Sequence, residues 1–122
     1  MYKNAWFGRF ARKERITAAS LWEAVERAEK GLIDADLGGG VIKQRIARVG
    51  EGKSKGYRSI VLFRQGEVSF FVYGFAKSDA SNLREDEEAQ FKKMAKFVLA
   101  LTDAQLRELL ANGQFEEVGQ NG

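Results

Sequence analysis

The run Val68–Ala76 (VSFFVYGFA) constrains the fold more than any other part of the sequence. Apolar residues occupy both faces that a strand would have there, which is typical of a strand at the centre of a sheet. Gln65 and Gly66 form a tight connection to another strand-like segment, Tyr57–Arg64. Because short connections join strands that run in opposite directions, we expect these two strands to pair antiparallel.

A third strand is predicted where the hydrophobic period changes from helical to alternating. Three consecutive glycines end a helical pattern, and residues 41–49 then alternate between apolar and polar. Lys43 and Arg45 fall on one face of this strand, and its isoleucines fall on the other. The glycine- and lysine-rich segment 50–56 is predicted to be a flexible basic turn.

Helical patterns flank the strands on both sides. The first 33 residues predict two helices. In the first, an apolar stripe recurs at helical spacing: Trp6, Phe7, Phe10 and Ala11. The second begins after the N-cap Thr17 and carries an apolar stripe that ends at Leu32. After the strands, capping-box spacings that begin at Asn82 and Thr102 predict two more helices.

These elements predict one α+β domain over residues 1–122. In it, an N-terminal helical hairpin packs on a small antiparallel sheet of three to four strands, and C-terminal helices follow. Phe115–Val118 fits either a short edge strand or a frayed tail, and residues 119–122 are expected to be disordered.

The composition narrows the chemistry, because the chain has no cysteine and no histidine. Thiolate zinc sites, cysteine nucleophiles and imidazole acid–base catalysis are therefore excluded. Any catalysis must use Lys, Arg, Tyr, Ser, Asp or Glu, and we expect no cofactor and no metal. No apolar run reaches the ~20 residues of a membrane span, and no secretory signal is recognised, so we expect a cytoplasmic protein.

Positive charge is concentrated in the middle of the chain. The net charge is only +3, but residues 41–64 hold seven basic side chains against Glu51 alone. This density is typical of a surface that binds a polyanion. It is equally consistent with a lysine-rich edge strand whose charges oppose aggregation.

Four of the basic residues are expected to converge on one face of the sheet: Lys43, Arg45, Arg58 and Lys77. They would repel each other unless an anion lay between them, and a scissile RNA phosphate is such an anion. Guanidinium groups suit its oxygens, and a lysine could act as general base or acid. The alternative is that these side chains lie on different faces and only solubilise the sheet.

Three segments resemble the RelE/HigB-like toxins of type II toxin–antitoxin modules: 34–48 (DADLGGGVIKQRIAR), 52–60 (GKSKGYRSI) and 70–77 (FFVYGFAK). The resemblance implies a small cytoplasmic ribonuclease that cleaves mRNA, in many members within the ribosomal A site. It also implies a cognate antitoxin, often of the helix-turn-helix type.

By position, the resemblance assigns the catalytic cations to Lys43, Arg45, Arg58 and Lys77, on a basic sheet face. The same analysis expects RNA contacts from six further residues: Arg48, Lys53, Lys55, Tyr57, Arg64 and Tyr73. Many relatives carry a tyrosine shortly after the last cation, whereas this chain reads Ser81-Asn82-Leu83. The identity of the general base therefore stays open.

Without histidine or divalent ligands, cleavage is expected to proceed by attack of the RNA 2′-hydroxyl without metal. Two alternatives to RNA cleavage stay open. The first is a toxin that binds DNA gyrase, because ParE-type toxins share this broad fold and act on gyrase instead. The second alternative is a module that binds nucleic acid without cleaving it.

Overall fold

A computed structural model describes residues 1–48, 52–76 and 84–119 of the chain. The elements within these residues are β1 (Tyr2–Asn4), α1 (Ala5–Glu14), α2 (Ala18–Glu29), β2 (Ala35–Gly38), β3 (Val41–Arg48), β4 (Gly52–Arg64), β5 (Val68–Ala76), α3 (Glu85–Val98), α4 (Asp103–Ala111) and β6 (Phe115–Glu117). The predicted α+β class is therefore confirmed.

The described strands form one six-stranded sheet in the order β2-β3-β4-β5-β1-β6. β5 lies inside the sheet, antiparallel to β4 and parallel to β1, so the predicted central strand is confirmed. The predicted number of strands was too low. β1 and β2 span three and four residues, too few for an alternating pattern to distinguish them from loop.

The helical hairpin α1–α2 covers one face of the sheet. Thr17 caps α2 as predicted, because its hydroxyl accepts a 3.1 Å hydrogen bond from the Ser20 amide. Phe7 and Leu21 are buried against Ile46 and other sheet residues. Leu32 does not continue the predicted stripe: α2 ends at Glu29, and Leu32 is 61% exposed.

Helices α3 and α4 cover the opposite face, where Ala95 and Val98 pack on the sheet. The capping box of α4 is confirmed by the reciprocal hydrogen bonds of Thr102 and Gln105, at 2.9 and 3.1 Å. The predicted start of α3 was wrong by two positions. Its N-cap is Arg84, and Asn82 lies outside the described residues.

The predicted basic turn is also shorter than expected, because β4 begins at Gly52. Arg48 of β3 pairs with Gly52 across an irregularity in the register. Pairing with β3 therefore extends the strand through glycine and lysine residues that have little intrinsic strand preference. Phe115–Glu117 forms the edge strand that the sequence left as one of two options.

The close approach of α1 to β5 generates a test of the fold. A Cβ atom at Gly74 would lie 2.5 Å from Cε2 of Phe10, far inside van der Waals contact. Gly74→Ala should therefore lower the free energy of unfolding by about 1–3 kcal/mol, measured by urea denaturation. Gly119→Ala is the matched control, because no atom lies within 4 Å of its added methyl group. Equal stability of the two variants would contradict this packing.

Candidate phosphate-binding site

The β3–β4 register places two arginines side by side. Arg45 of β3 is the cross-strand partner of Arg58 of β4, and Lys43 is the partner of Ile60. Side chains directly opposite each other have Cβ atoms about 5 Å apart, and Lys43 lies about 7 Å along the strand from Arg45. The structure therefore brings together three of the four cations that the sequence analysis assigned to one sheet face. Lys77 lies outside the described residues.

Arg45 has a carboxylate partner. Its Nε and Nη2 donate to Oδ1 of Asp34 at 3.1 and 3.0 Å, and its backbone amide donates to Oδ2 at 2.7 Å. The Asp34 side chain is only 17% exposed, against 44% for Arg45. This pair fixes the direction of the Arg45 guanidinium and compensates its charge.

Two residues below the sheet hold Asp34 in place. Arg27 donates from Nη1 to Oδ2 of Asp34 at 3.3 Å. Gln44, which is 1% exposed, accepts from the Asp34 amide at 2.8 Å and donates to the carbonyls of Ala24 and Leu32 at 2.9 and 3.2 Å. The site therefore depends on a buried polar residue on the opposite face of β3.

The surroundings of Asp34 set its protonation state. Burial raises the pKa of Asp34, but hydrogen bonds from the Arg45 amide and guanidinium, the Arg45 charge and a hydrogen bond from Arg27 outweigh it. The net pKa of Asp34 is below its ordinary value, so the carboxylate is ionised at neutral pH.

Arg58 has no such partner among the described residues. Its Nη1 atom is buried and makes no hydrogen bond there. An unsatisfied buried donor costs about 1–3 kcal/mol, more for a charged group, and like charges directly opposite each other repel. Counting only the described residues, the structure thus places a guanidinium without a partner beside a compensated one, an arrangement that an anion would stabilise.

The remaining cations assigned from the sequence are placed differently. Lys43 is half-buried and has no hydrogen bond or ion pair within the described part of the chain. Arg64 is the last residue of β4, six residues or about 20 Å along the strand from Arg58, and its Nε lies 3.6 Å from Glu67. It is therefore too far away to share a phosphate with Arg58, and we do not place it in the site. Arg48, Lys53 and Lys55 belong to β3 and β4, but their side chains lie outside the described part of the structure.

The two tyrosines assigned to RNA contact occupy opposite faces. Tyr57 is 3% exposed in the core beneath α1, and its hydroxyl donates to Oε1 of Glu14 at 3.1 Å. Tyr73 is half-buried on the face of the cations, where its ring centre lies 4.6 Å from that of Trp6 and 5.6 Å from that of Phe91. Only Tyr73 therefore borders the site.

Sequence reasoning missed Asp34 and Trp6. Asp34 immediately precedes β2, the short strand that no alternating pattern revealed. Trp6 was interpreted as part of an apolar helical stripe, yet it is 38% exposed at the edge of β5. The stripe itself gave no signal that one of its members stays accessible.

The Asp34 pair predicts a pH-dependent stability. Asp34→Asn should lower the free energy of unfolding by about 1.5–3 kcal/mol at pH 7, because it removes charge-assisted hydrogen bonds. Since the folded-state pKa is lowered, the stabilisation is complete above the unfolded value of ~3.9 and is lost as the pH falls through the folded pKa. The difference between parent and variant should therefore shrink between about pH 5 and pH 2 in urea titrations.

Asp36→Asn is the control for this prediction. Asp36 is exposed and accepts only from the Gly38 amide among the described residues, a hydrogen bond that asparagine retains. A stability loss at Asp36 equal to that at Asp34, or one independent of pH, would contradict the role of the pair.

Comparison with known proteins gives a family for this chain. Within the described residues, no helix has the length and apolar character needed to cross a membrane. A search of curated proteins found no match. Residues 1–118 match the family described as the RelE toxin of the RelE / RelB toxin-antitoxin system. Because this match spans almost the whole chain of 122 residues, the protein belongs to the RelE toxin family.

Proposed function

We propose that this RelE-family toxin is an endoribonuclease that acts on mRNA, in which Arg58 and Arg45 bind the scissile phosphate. One observation carries the proposal: the buried Nη1 of Arg58 has no hydrogen-bond partner among the described residues, directly across from Arg45. A protein rarely retains such a group without a use for it. A phosphate at the accessible part of this half-buried residue would compensate its charge and relieve the repulsion between the two guanidinium groups.

The proposed reaction is transesterification within the RNA. The 2′-oxygen attacks the adjacent phosphorus, the bond from phosphorus to the 5′-oxygen breaks, and the products end in a 2′,3′-cyclic phosphate and a 5′-hydroxyl. One proton leaves the 2′-hydroxyl and another reaches the departing 5′-oxygen. The non-bridging oxygens gain negative charge in the transition state, where fixed guanidinium donors stabilise it most.

Lys43 and Lys77 are the residues that we propose for the proton transfers. Lys43 lies next to the arginine pair in the register and has no described ion-pair partner. Lys77, the other lysine assigned from the sequence, remains a candidate for the second transfer. Asp34 serves as a positioning residue, because it holds the Arg45 guanidinium from behind.

The partners follow from the family and the site. Membership of the RelE family implies an antitoxin. We further propose that the antitoxin is of the helix-turn-helix type, that the mRNA is bound in the ribosomal A site, and that the toxin acts in the cytoplasm. An antitoxin that covers the arginine pair would silence the proposed activity by excluding the phosphate.

The test is Arg58→Ala, with Arg64→Ala as the matched control from the same strand. Loss of a phosphate contact should lower the cleavage rate by roughly 10²–10³ and abolish growth inhibition, whereas Arg64→Ala should retain both. Because Arg58→Ala removes an unsatisfied buried donor, its melting temperature should not fall. Growth assays at matched protein levels, and cleavage of mRNA with and without ribosomes, measure these effects.

The ends of the RNA products, determined in the same cleavage assay, show whether cleavage proceeds by attack of the 2′-hydroxyl. We expect 2′,3′-cyclic phosphate ends, unchanged activity in EDTA, and no cleavage where the sugar is 2′-deoxy. Full toxicity of Arg58→Ala, 3′-hydroxyl ends or cleavage of the deoxy substrate would each contradict the proposal. A toxic parent that cuts no RNA, with ribosomes or without them, would instead favour a gyrase-directed or purely binding mechanism.

A further inference from the structure

An aromatic cluster lies on the edge of β5 beside the arginine pair. Trp6 contacts both Tyr73 and Phe10, with ring centres 4.6 and 5.4 Å away, and Tyr73 in turn contacts Phe91. Tyr73, Phe10 and Phe91 are half-buried, whereas Trp6 is 38% exposed. A large aromatic ring is thus both supported by other rings and accessible to a ligand.

The backbone fixes the position of Trp6. β1 pairs with β5 as far as Lys3 and Phe71, and the chain then turns into α1. Asn4 holds this turn, since its Nδ2 donates to the Val72 carbonyl at 3.1 Å and its Oδ1 accepts from the Phe7 amide at 2.8 Å. Trp6 therefore stands at the place where β1 no longer covers β5, held by a strand end and a helix cap.

The same register relates this cluster to the cations. Tyr73 pairs with Ile60, the cross-strand partner of Lys43, and Phe75 pairs with Arg58. The rings of Tyr73 and Phe75 have centres 6.1 Å apart. Because neighbouring strands lie about 4.8 Å apart, the aromatic row on β5 borders the cationic row on β3 and β4. Cations beside accessible aromatic rings are typical of sites for single-stranded nucleic acid.

We propose that Trp6, supported by Tyr73, stacks on a base of the RNA strand whose phosphate lies at Arg58. This inference rests on the proposed function and adds a base-contacting residue to it. Among the described residues, the other exposed large apolar side chains are those of Leu32, in the loop after α2, and Phe97, on α3, and neither has an aromatic contact there. Trp6 is distinguished by its supporting rings and by its contact with Tyr73, which borders the cations.

The experiment combines a protein change with an RNA change. Binding is measured with a short single-stranded RNA that carries 2′-O-methyl groups throughout, so that it cannot be cleaved by 2′-hydroxyl attack. A second series of oligonucleotides lacks one base at each position in turn. Trp6→Ala should weaken binding of the complete RNA by about 5- to 150-fold, and Trp6→Phe by much less. At the position of the stacked base, removal of that base should weaken binding to the parent protein but not to Trp6→Ala, because the variant has already lost the contact.

A fluorescence measurement gives a readout that does not require a change at Trp6. In a Trp22→Phe background, Trp6 is the only tryptophan of the chain, and its emission should be quenched by the complete RNA. In a Trp6→Phe background, emission from Trp22 should stay unchanged. Trp22 is a suitable reference because it lies on α2 and packs on the face of the sheet opposite the cations.

The outcomes separate this inference from the proposed function. Suppose that RNA binds and that Arg58→Ala weakens binding. If Trp6 emission is then not quenched, and Trp6→Ala and removal of a base weaken binding independently at every position, only the stacking inference is overturned. If the parent protein binds none of the RNAs, either free or in the A site of ribosomes, the proposed function fails and the inference fails with it. Quenching of Trp6 by an antitoxin but not by RNA would assign the exposed ring to protein binding and also overturn the inference.

Discussion

The antiparallel pairing of β3 with β4 is the constraint on which the rest of the site depends. It puts Arg45 and Arg58 directly opposite each other, where like charges oppose folding. Asp34 compensates the first of these charges, and no described residue compensates the second. The guanidinium of Arg45 is therefore compensated and fixed, whereas that of Arg58, beside it, has no partner among the described residues and can bind an anion. This asymmetry, more than the number of cations, defines the candidate site.

Both faces of the sheet contribute to that asymmetry. Gln44 projects into the core beneath β3 and holds the chain from Leu32 to Asp34, so that Asp34 reaches Arg45 on the other side. The buried side-chain amide of Gln44 fixes the positions of its hydrogen-bond partners, because each bond left unmade would cost free energy. The core of the helical hairpin thus determines the geometry of a group on the opposite, cationic face.

Much of this could be predicted from the sequence, because the long elements carry periodic patterns. Alternation located β3, a run of apolar residues on both faces located β5, and capping residues such as Thr17 and Thr102 located helix starts. The short strands β1 and β2 carry no such pattern, since pairing with longer neighbours creates them. Sequence reasoning did not identify Asp34 and Trp6 for the same reason, because their roles arise from contacts with elements distant in sequence. The sequence could predict that basic residues form the site, but it could not predict that Arg58 would be the one without a described partner.

The most direct test of this account is nuclear magnetic resonance of the arginine side chains during titration with an uncleavable, 2′-O-methyl RNA. The Nε–H signal of Arg58, assigned by its absence from Arg58→Lys, should shift strongly as the RNA binds. The signal of Arg64, exposed at the far end of the same strand, should stay in place. A shift at Arg64 with Arg58 unchanged would show that RNA binds to surface charge alone, and would contradict the claim that the Arg58 guanidinium is the phosphate site.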